Sequence, residues 1–157
     1  MFKKVCIIGC GLIGSSIARA IKKNNLANKI VCSNRSARTN KKVIKLNIVN
    51  EASSDTGKMV KDSDLIIIAT PLSSYKSVVL KIKNSLKRGA ILTDVGSVKK
   101  NAISLIEKNI PKNISWISSH PIAGTEESGP ESGFSHLFKN KWCILTPSRQ
   151  SNNKDVK

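Results

Sequence analysis

The residues best equipped for chemistry are few. His120 stands beside Pro121 in "WISSHPIAGTEESGPESGF" and is one of 2 histidines in the chain. A neutral imidazole can take a proton from a substrate hydroxyl near pH 7. A neighbouring serine can hold the ring or that hydroxyl in line, and Ser97 in "TDVGSVKK" is the candidate. A lone histidine can equally be structural, so its place in the fold decides. The other chemical feature is "GCGLIG", which sets Gly9, Gly11 and Gly14 in G-x-G-x-x-G spacing. Alone that spacing is a weak signal, but after a strand and at the start of a helix it has a mechanism. Gly9 permits the tight turn, Gly11 lets the backbone approach a pyrophosphate, and Gly14 lets the helix pack close to the sheet. The helix N-terminus, with Leu12 and Ile13, turns free N–H groups and a positive dipole end toward phosphates.

The residues after the second strand bear on which dinucleotide fits. An Asp or Glu about 20 residues past the glycines holds the ribose 2′-hydroxyl of NAD. Here "SNRS" has no carboxylate. Asn34 removes a charge that would repel a 2′-phosphate, and Arg35 offers a bidentate cation for one. Ser36, with Ser33 and Arg38, can assist. The expectation is NADP in preference to NAD, against the alternative that Arg35 is one more solvated base.

These groups need elements to position them, and the chain supplies short apolar runs alternating with amphipathic stretches. "KVCIIG", "KIVCSN", "DLIIIAT", "GAILTDV", "SWISSH" and "KWCILTP" read as strands, with a short strand or turn in "IVNEAS". "LIGSSIARAIKKNN" reads as a helix with Ile13, Ile17, Ala20 and Ile21 on one face; "ARTNKKVIKLN", "SSYKSVVLKIKNSLK" and "SVKKNAISLIEKNI" are further helices. Strands alternating with helices imply βαβ units and a mostly parallel, doubly wound α/β sheet of the Rossmann type. Ligands of such sheets bind beyond the carboxyl ends of the strands. Four loops converge there: "GCGLIG", "ATPLSS" with Thr70 and Pro71, "DVGSVKK", and "SHPIAGTEESG" led by His120.

Composition narrows the alternatives. The 157 residues suit a single domain, expected over 1–150, with a polar tail at 151–157 that frays. The net charge of +17 would suit a nucleic acid, but the lysines are spread along every segment and aromatics are only 4%. No nucleic-acid partner is expected. The 4 cysteines form no C-x-x-C pair and no metal-ligand spacing, so no metal site and reduced, cytoplasmic thiols are expected. The start "MFKKVCIIGC" mimics a signal peptide, yet Val5 to Gly9 falls short of the roughly 7–15 apolar residues required. No run approaches the ~20 apolar residues of a membrane span, so no membrane partner is expected.

Taken in order, "IIGCGLIGSSIARAI", "TDVGSVK", "SHPIAGTEESGPESGF" and "WCILTP" strongly resemble the N-terminal nucleotide-binding domain of prephenate dehydrogenase and its arogenate and cyclohexadienyl relatives in tyrosine biosynthesis. The resemblance spans essentially the whole chain, and "SVK" followed by "HPIAGTE" is far more specific than the glycine loop. It implies His120 as catalytic base on the ring hydroxyl, with Ser97 bonded to that hydroxyl or to His120. It implies Thr125 as a substrate contact, Glu126 as an organiser of the pocket mouth, and Pro71 along the nicotinamide. The implied reaction is oxidative decarboxylation: hydride leaves the carbinol carbon for the nicotinamide as the ring carboxylate departs as CO2. The product is 4-hydroxyphenylpyruvate from prephenate, or tyrosine from arogenate.

The chain departs from the family pattern twice. Asn34 stands where an acidic residue is common. The family's helical C-terminal domain, which makes the homodimer and supplies cations for the substrate carboxylates, has no counterpart here. Only Lys99, Lys100 and Arg149 are expected near the crevice. The expectation is therefore a truncated nucleotide-binding domain that binds cofactor and turns over poorly or not at all. The alternatives are an NADP-dependent dehydrogenase of the β-hydroxyacid dehydrogenase or imine reductase type, or a non-catalytic dinucleotide-binding module.

Overall fold

A computed structural model describes residues 1–157, apart from the side chain of Asn101. Seven strands form one sheet: β1 (Phe2–Ile8), β2 (Ala27–Ser33), β3 (Glu51–Ser53), β4 (Leu65–Ile68), β5 (Ile91–Asp94), β6 (Ser115–Pro121) and β7 (Cys143–Pro147). Their spatial order is β3-β2-β1-β4-β5-β6-β7. The first six run parallel, and β7 alone is antiparallel, with His120 opposite Ile144. The chain therefore starts mid-sheet, works outward to β3, and returns to the other side of β1. The crevice between β1 and β4 at that reversal is where such sheets bind ligands.

Helices α1 (Leu12–Lys23) and α2 (Ala37–Lys45) cover one face; α3 (Thr56–Val60), α4 (Tyr75–Ile82) and α5 (Lys99–Glu107) cover the other. Alternation along β1 explains both cores. Val5 and Ile7 join Ala18, Ile21 and Val43 on the first face. Cys6 and Ile8 join Tyr75, Ile82, Ile106 and Trp116 on the second. Both faces of the central strands are buried, as in other parallel sheets, which is why "LIII" reads as an unbroken apolar run.

Several expectations need correction. The face of α1 turned to the sheet is Gly14, Ala18 and Ile21, whereas Ile13, Ile17 and Ala20 lie half-buried at its flank. The reason is the closeness of the approach. A Cβ on Gly14 would lie 2.0 Å from the Gly9 carbonyl oxygen, so small residues rather than large ones mark the contact. Helix α3 was not expected; Asp55 caps it by accepting from the Lys58 amide at 3.0 Å. The tail expected to fray instead docks beside β6. The Asn152 amide donates to Ser115 Oγ at 3.0 Å, the Trp116 amide donates to the Gln150 carbonyl at 3.3 Å, and α6 (Asn153–Val156) follows. No helix among the described residues is long and apolar enough to cross a membrane.

Candidate active site and nucleotide cleft

The turn after β1 is built by its glycines. Gly9 has φ +92°, and a Cβ there would lie 2.7 Å from the Ala69 carbonyl oxygen. Gly11 is the opposite case: a Cβ on it would meet nothing within 4 Å. The loop is pinned from β2, where Asn34 Oδ1 accepts from the Cys10 amide at 2.6 Å. Asn34 Nδ2 in turn donates to Asn40 Oδ1 at 2.9 Å, and Asn40 Nδ2 returns a bond to the Asn34 carbonyl at 3.0 Å. The Cys10 thiol is pushed up by its hydrogen bond with Cys32 and by burial, so it stays protonated behind the loop.

Above this turn lies an open cleft of about 690 Å³. Of the residues expected to hold the cofactor, Gly9, Gly11, Asn34, Arg35, Ser36, Thr70 and Pro71 line it. Leu12, Ile13 and Gly14 do not; they form the first turn of α1 behind the glycine loop. The lining also includes residues that sequence reasoning missed: Thr39 on α2, Thr56 on α3, Lys81 on α4, and Gly129 with Pro130. Thr39 and Lys81 could have been found from helix phase. Gly129 and Pro130 carry no local signal.

These last two arrive on a strap that leaves β6 after Pro121 and crosses back over α1. Gly133 sits so tightly on that helix that a Cβ would lie 2.1 Å from Ser15 Oγ. The Phe134 amide donates to Ser16 Oγ at 3.1 Å, and Glu131 pairs with Lys42 of α2. That pairing holds the Glu131 carboxyl below its ordinary range.

His120 is half-buried near the carboxyl end of β6, and Ser97 is exposed in the loop after neighbouring β5. Thr125 and Glu126 are exposed on the strap; Thr125 Oγ1 accepts from the Glu127 amide at 3.2 Å. None of these four lines the nucleotide cleft itself, but all lie on segments leaving the same sheet edge. Lys99 is not free there: its ammonium is bound to Asp94. Arg149 follows antiparallel β7 and so lies at the opposite sheet edge, its amide bonded to Glu107 at 3.1 Å. Lys100 is exposed at the start of α5.

The cleft fits a dinucleotide on three counts. Gly11 leaves room for a phosphate, α1 points its N-terminus at that room, and the buried hydroxyl of Thr70 has no hydrogen-bond partner among the described residues. Among those residues no group of histidine, cysteine and carboxylate side chains could hold a metal ion.

Residues 17–157 match the family profile described as prephenate dehydrogenase, nucleotide-binding domain. The chain belongs to the prephenate dehydrogenase family. It is 36% identical to the cyclohexadienyl dehydrogenase of Zymomonas mobilis, covering 94% of this chain and 50% of that protein. It is 30% identical to the prephenate dehydrogenase of Bacillus subtilis, covering 97% and 41%. The chain thus spans about half the length of the curated relatives it matches. Among solved structures, prephenate dehydrogenase from A. aeolicus in complex with hydroxyphenyl propionate and NAD+ superposes with a TM-score of 0.90 at 27% identity, over 99% of this chain and 54% of that one. Synechocystis arogenate dehydrogenase does so equally well, with a TM-score of 0.90 at 27% identity, over 98% and 53%. The doubly wound fold expected from the sequence is that of the prephenate dehydrogenase nucleotide-binding domain.

Proposed function

We propose that this domain binds NAD(P) and, within a complete enzyme, carries the base for oxidative decarboxylation of prephenate or arogenate. The observation that carries the reading is His120. Its Nδ1 is buried without a hydrogen-bond partner among the described residues, beside the carboxyl edge that also bears the nucleotide cleft. An orphaned buried nitrogen costs free energy unless something bonds to it, and a substrate hydroxyl or a residue that orients the ring would do so. His120 accepts the proton of the ring hydroxyl. Ser97 holds that hydroxyl or the imidazole, Thr125 contacts the substrate, and Glu126 orders the mouth of the pocket. The dinucleotide supplies the hydride acceptor when bound. The protein aligns the reacting carbon with it and stabilises the developing carbonyl.

NADP is the preferred cofactor in this reading, since Arg35 and Ser36 line the cleft and no carboxylate follows β2. Leu12 and Ile13 contribute as the first turn of α1. Residues 1–150 form the nucleotide domain, the homodimer forms through a C-terminal helical domain outside this chain, and the setting is the cytoplasm without nucleic-acid or membrane partners.

Calorimetric titration with NADP+ and NAD+ tests the cofactor reading. NADP+ should bind more tightly, and Arg35→Ala should weaken NADP+ about tenfold with NAD+ unchanged. Tighter NAD+ binding would reverse the preference while leaving the fold intact. For the base, His120→Ala in the full-length protein should lose about 10²–10⁴-fold in turnover with cofactor affinity retained. Retained turnover would exclude His120 from the chemistry.

A further inference from the structure

Asp94 closes β5 with its side chain fully buried, and the two halves of the candidate catalytic site meet on it. From β6 it accepts Ser118 Oγ at 2.8 Å and the Ser119 amide at 3.1 Å. From the other side it accepts the Tyr75 hydroxyl at 2.9 Å and the Gly96 amide at 3.0 Å. Burial, and then the Asp94 charge, push the Tyr75 phenol up, so it remains a donor to that carboxylate.

Lys99 completes the cluster. Its Nζ lies 3.0 Å from each Asp94 oxygen and donates to the Ser119 carbonyl at 2.6 Å. An ammonium has three donors, and all are committed to these acceptors. The Ser119 carbonyl belongs to the peptide bond that enters His120, so the ammonium fixes the plane from which the imidazole departs. Ser119 is also held through its hydroxyl, which donates to the Asp94 carbonyl at 2.5 Å. The loop carrying Ser97 runs between Asp94 and Lys99, anchored at both ends. It has no slack at Gly96, where a Cβ would lie 2.8 Å from the Tyr75 hydroxyl.

We infer that Lys99 is a positioning residue: with Asp94 it locks the Ser119–His120 peptide and the Ser97 loop into one unit, and it does not ligate a substrate carboxylate. The inference rests on the reading of His120 as the base. It assigns to "TDVGSVK" a job beyond Ser97, since Asp94 and Lys99 both belong to that motif and flank the Ser97 loop.

The test uses Lys99→Met and the double variant Asp94→Asn/Lys99→Met. The single variant leaves a buried carboxylate uncompensated and so endangers folding; the double variant removes both charges. In the 157-residue chain, spectra of the His120 ring should show one side-chain orientation in the wild type and averaged signals in the folded double variant. Dinucleotide affinity should stay within about twofold, because the cluster lies off the nucleotide cleft. In the full-length protein with prephenate, the double variant should lower kcat by about 10- to 100-fold with KM unchanged, as a displaced base does. Unchanged ring signals in the folded double variant overturn the proposal, as does a raised KM with kcat kept, which would make Lys99 a substrate ligand. Failure of the wild-type chain to bind any dinucleotide would strike the functional reading instead, and the ring spectra would still decide the clamp.

Discussion

Asn34 Oδ1 accepts a hydrogen bond from the Cys10 amide at 2.6 Å, so the residue that follows β2 also shapes the phosphate loop after β1. Asn34→Asp preserves that acceptor but loses the donations to Asn40 Oδ1 and Cys32 Sγ. It also places a negative charge where a 2′-phosphate would approach. The variant should be less stable by about 1–3 kcal/mol, the cost of unsatisfied buried polar groups. Its NADP+/NAD+ affinity ratio should fall about tenfold or more. Denaturant unfolding and paired titrations measure the two effects separately, and an unchanged ratio would remove Asn34 from cofactor selection.

Two glycines of one motif should respond in opposite ways. Gly14→Ala drives a methyl to 2.0 Å from the Gly9 carbonyl oxygen, which neither backbone can relieve without moving α1 off the sheet. It should cost about 2–4 kcal/mol, in the range of a badly overpacked core position. Gly11→Ala meets open space and has an ordinary φ of −76°. Its stability should match or slightly exceed wild type, while dinucleotide affinity falls about tenfold because the methyl occupies the phosphate approach. Loss of stability in both variants would contradict the geometry.

Asp64 ties the start of β1 to the segment before β5. It accepts the Lys3 amide at 2.7 Å, the Lys4 amide at 3.0 Å and Lys87 Nζ at 2.5 Å. The Lys87 bond comes first among the causes that depress its carboxyl below the ordinary range. A depressed folded value means that the ionised form stabilises the fold. The contribution is complete above the unfolded value of about 3.9 and is lost as pH falls through the lower folded one. Asp64→Asn should therefore cost about 1–2 kcal/mol at pH 7, and urea unfolding should find that gap closing below about pH 4. A gap independent of pH would mean that charge has no part in it.

The thiols divide by burial. Cys6, Cys10 and Cys32 are buried, and burial pushes the Cys6 thiol up to about 12; Cys143 on β7 is exposed. An aromatic disulfide reagent should label one thiol rapidly in the native chain and the others only on unfolding. Cys143→Ser should abolish the fast phase. A second fast thiol would show that the glycine loop opens.

The sequence was most legible where chemistry and periodicity coincide. The run "DLIIIAT" identifies a strand buried on both faces, and His120 follows the apolar "SWISS" to the carboxyl edge as expected. Apolar periodicity misread α1 because glycine and alanine make its closest contacts while the larger Ile13 and Ile17 sit at the side. It passed over α3 because five residues with one glycine carry too little pattern. Lys99 could be placed near the crevice from "SVKK", but its commitment to Asp94 and to the Ser119 carbonyl is a tertiary fact. Arg149 was misplaced for one reason: nothing in "CILTP" says that β7 runs antiparallel. The strap was legible only as a loop, since its return to α1 depends on Gly133 fitting against Ser15.

The two tryptophans occupy opposite surroundings. Trp116 on β6 is fully buried, and Trp142 is 83% exposed just before β7. The chain therefore carries its own pair of optical reporters. An aqueous quencher should silence Trp142 and spare Trp116, so the residual emission follows the core alone. The quenched fraction follows whatever comes to rest on the outer edge of the sheet. One cuvette can thus separate unfolding from surface association without any label.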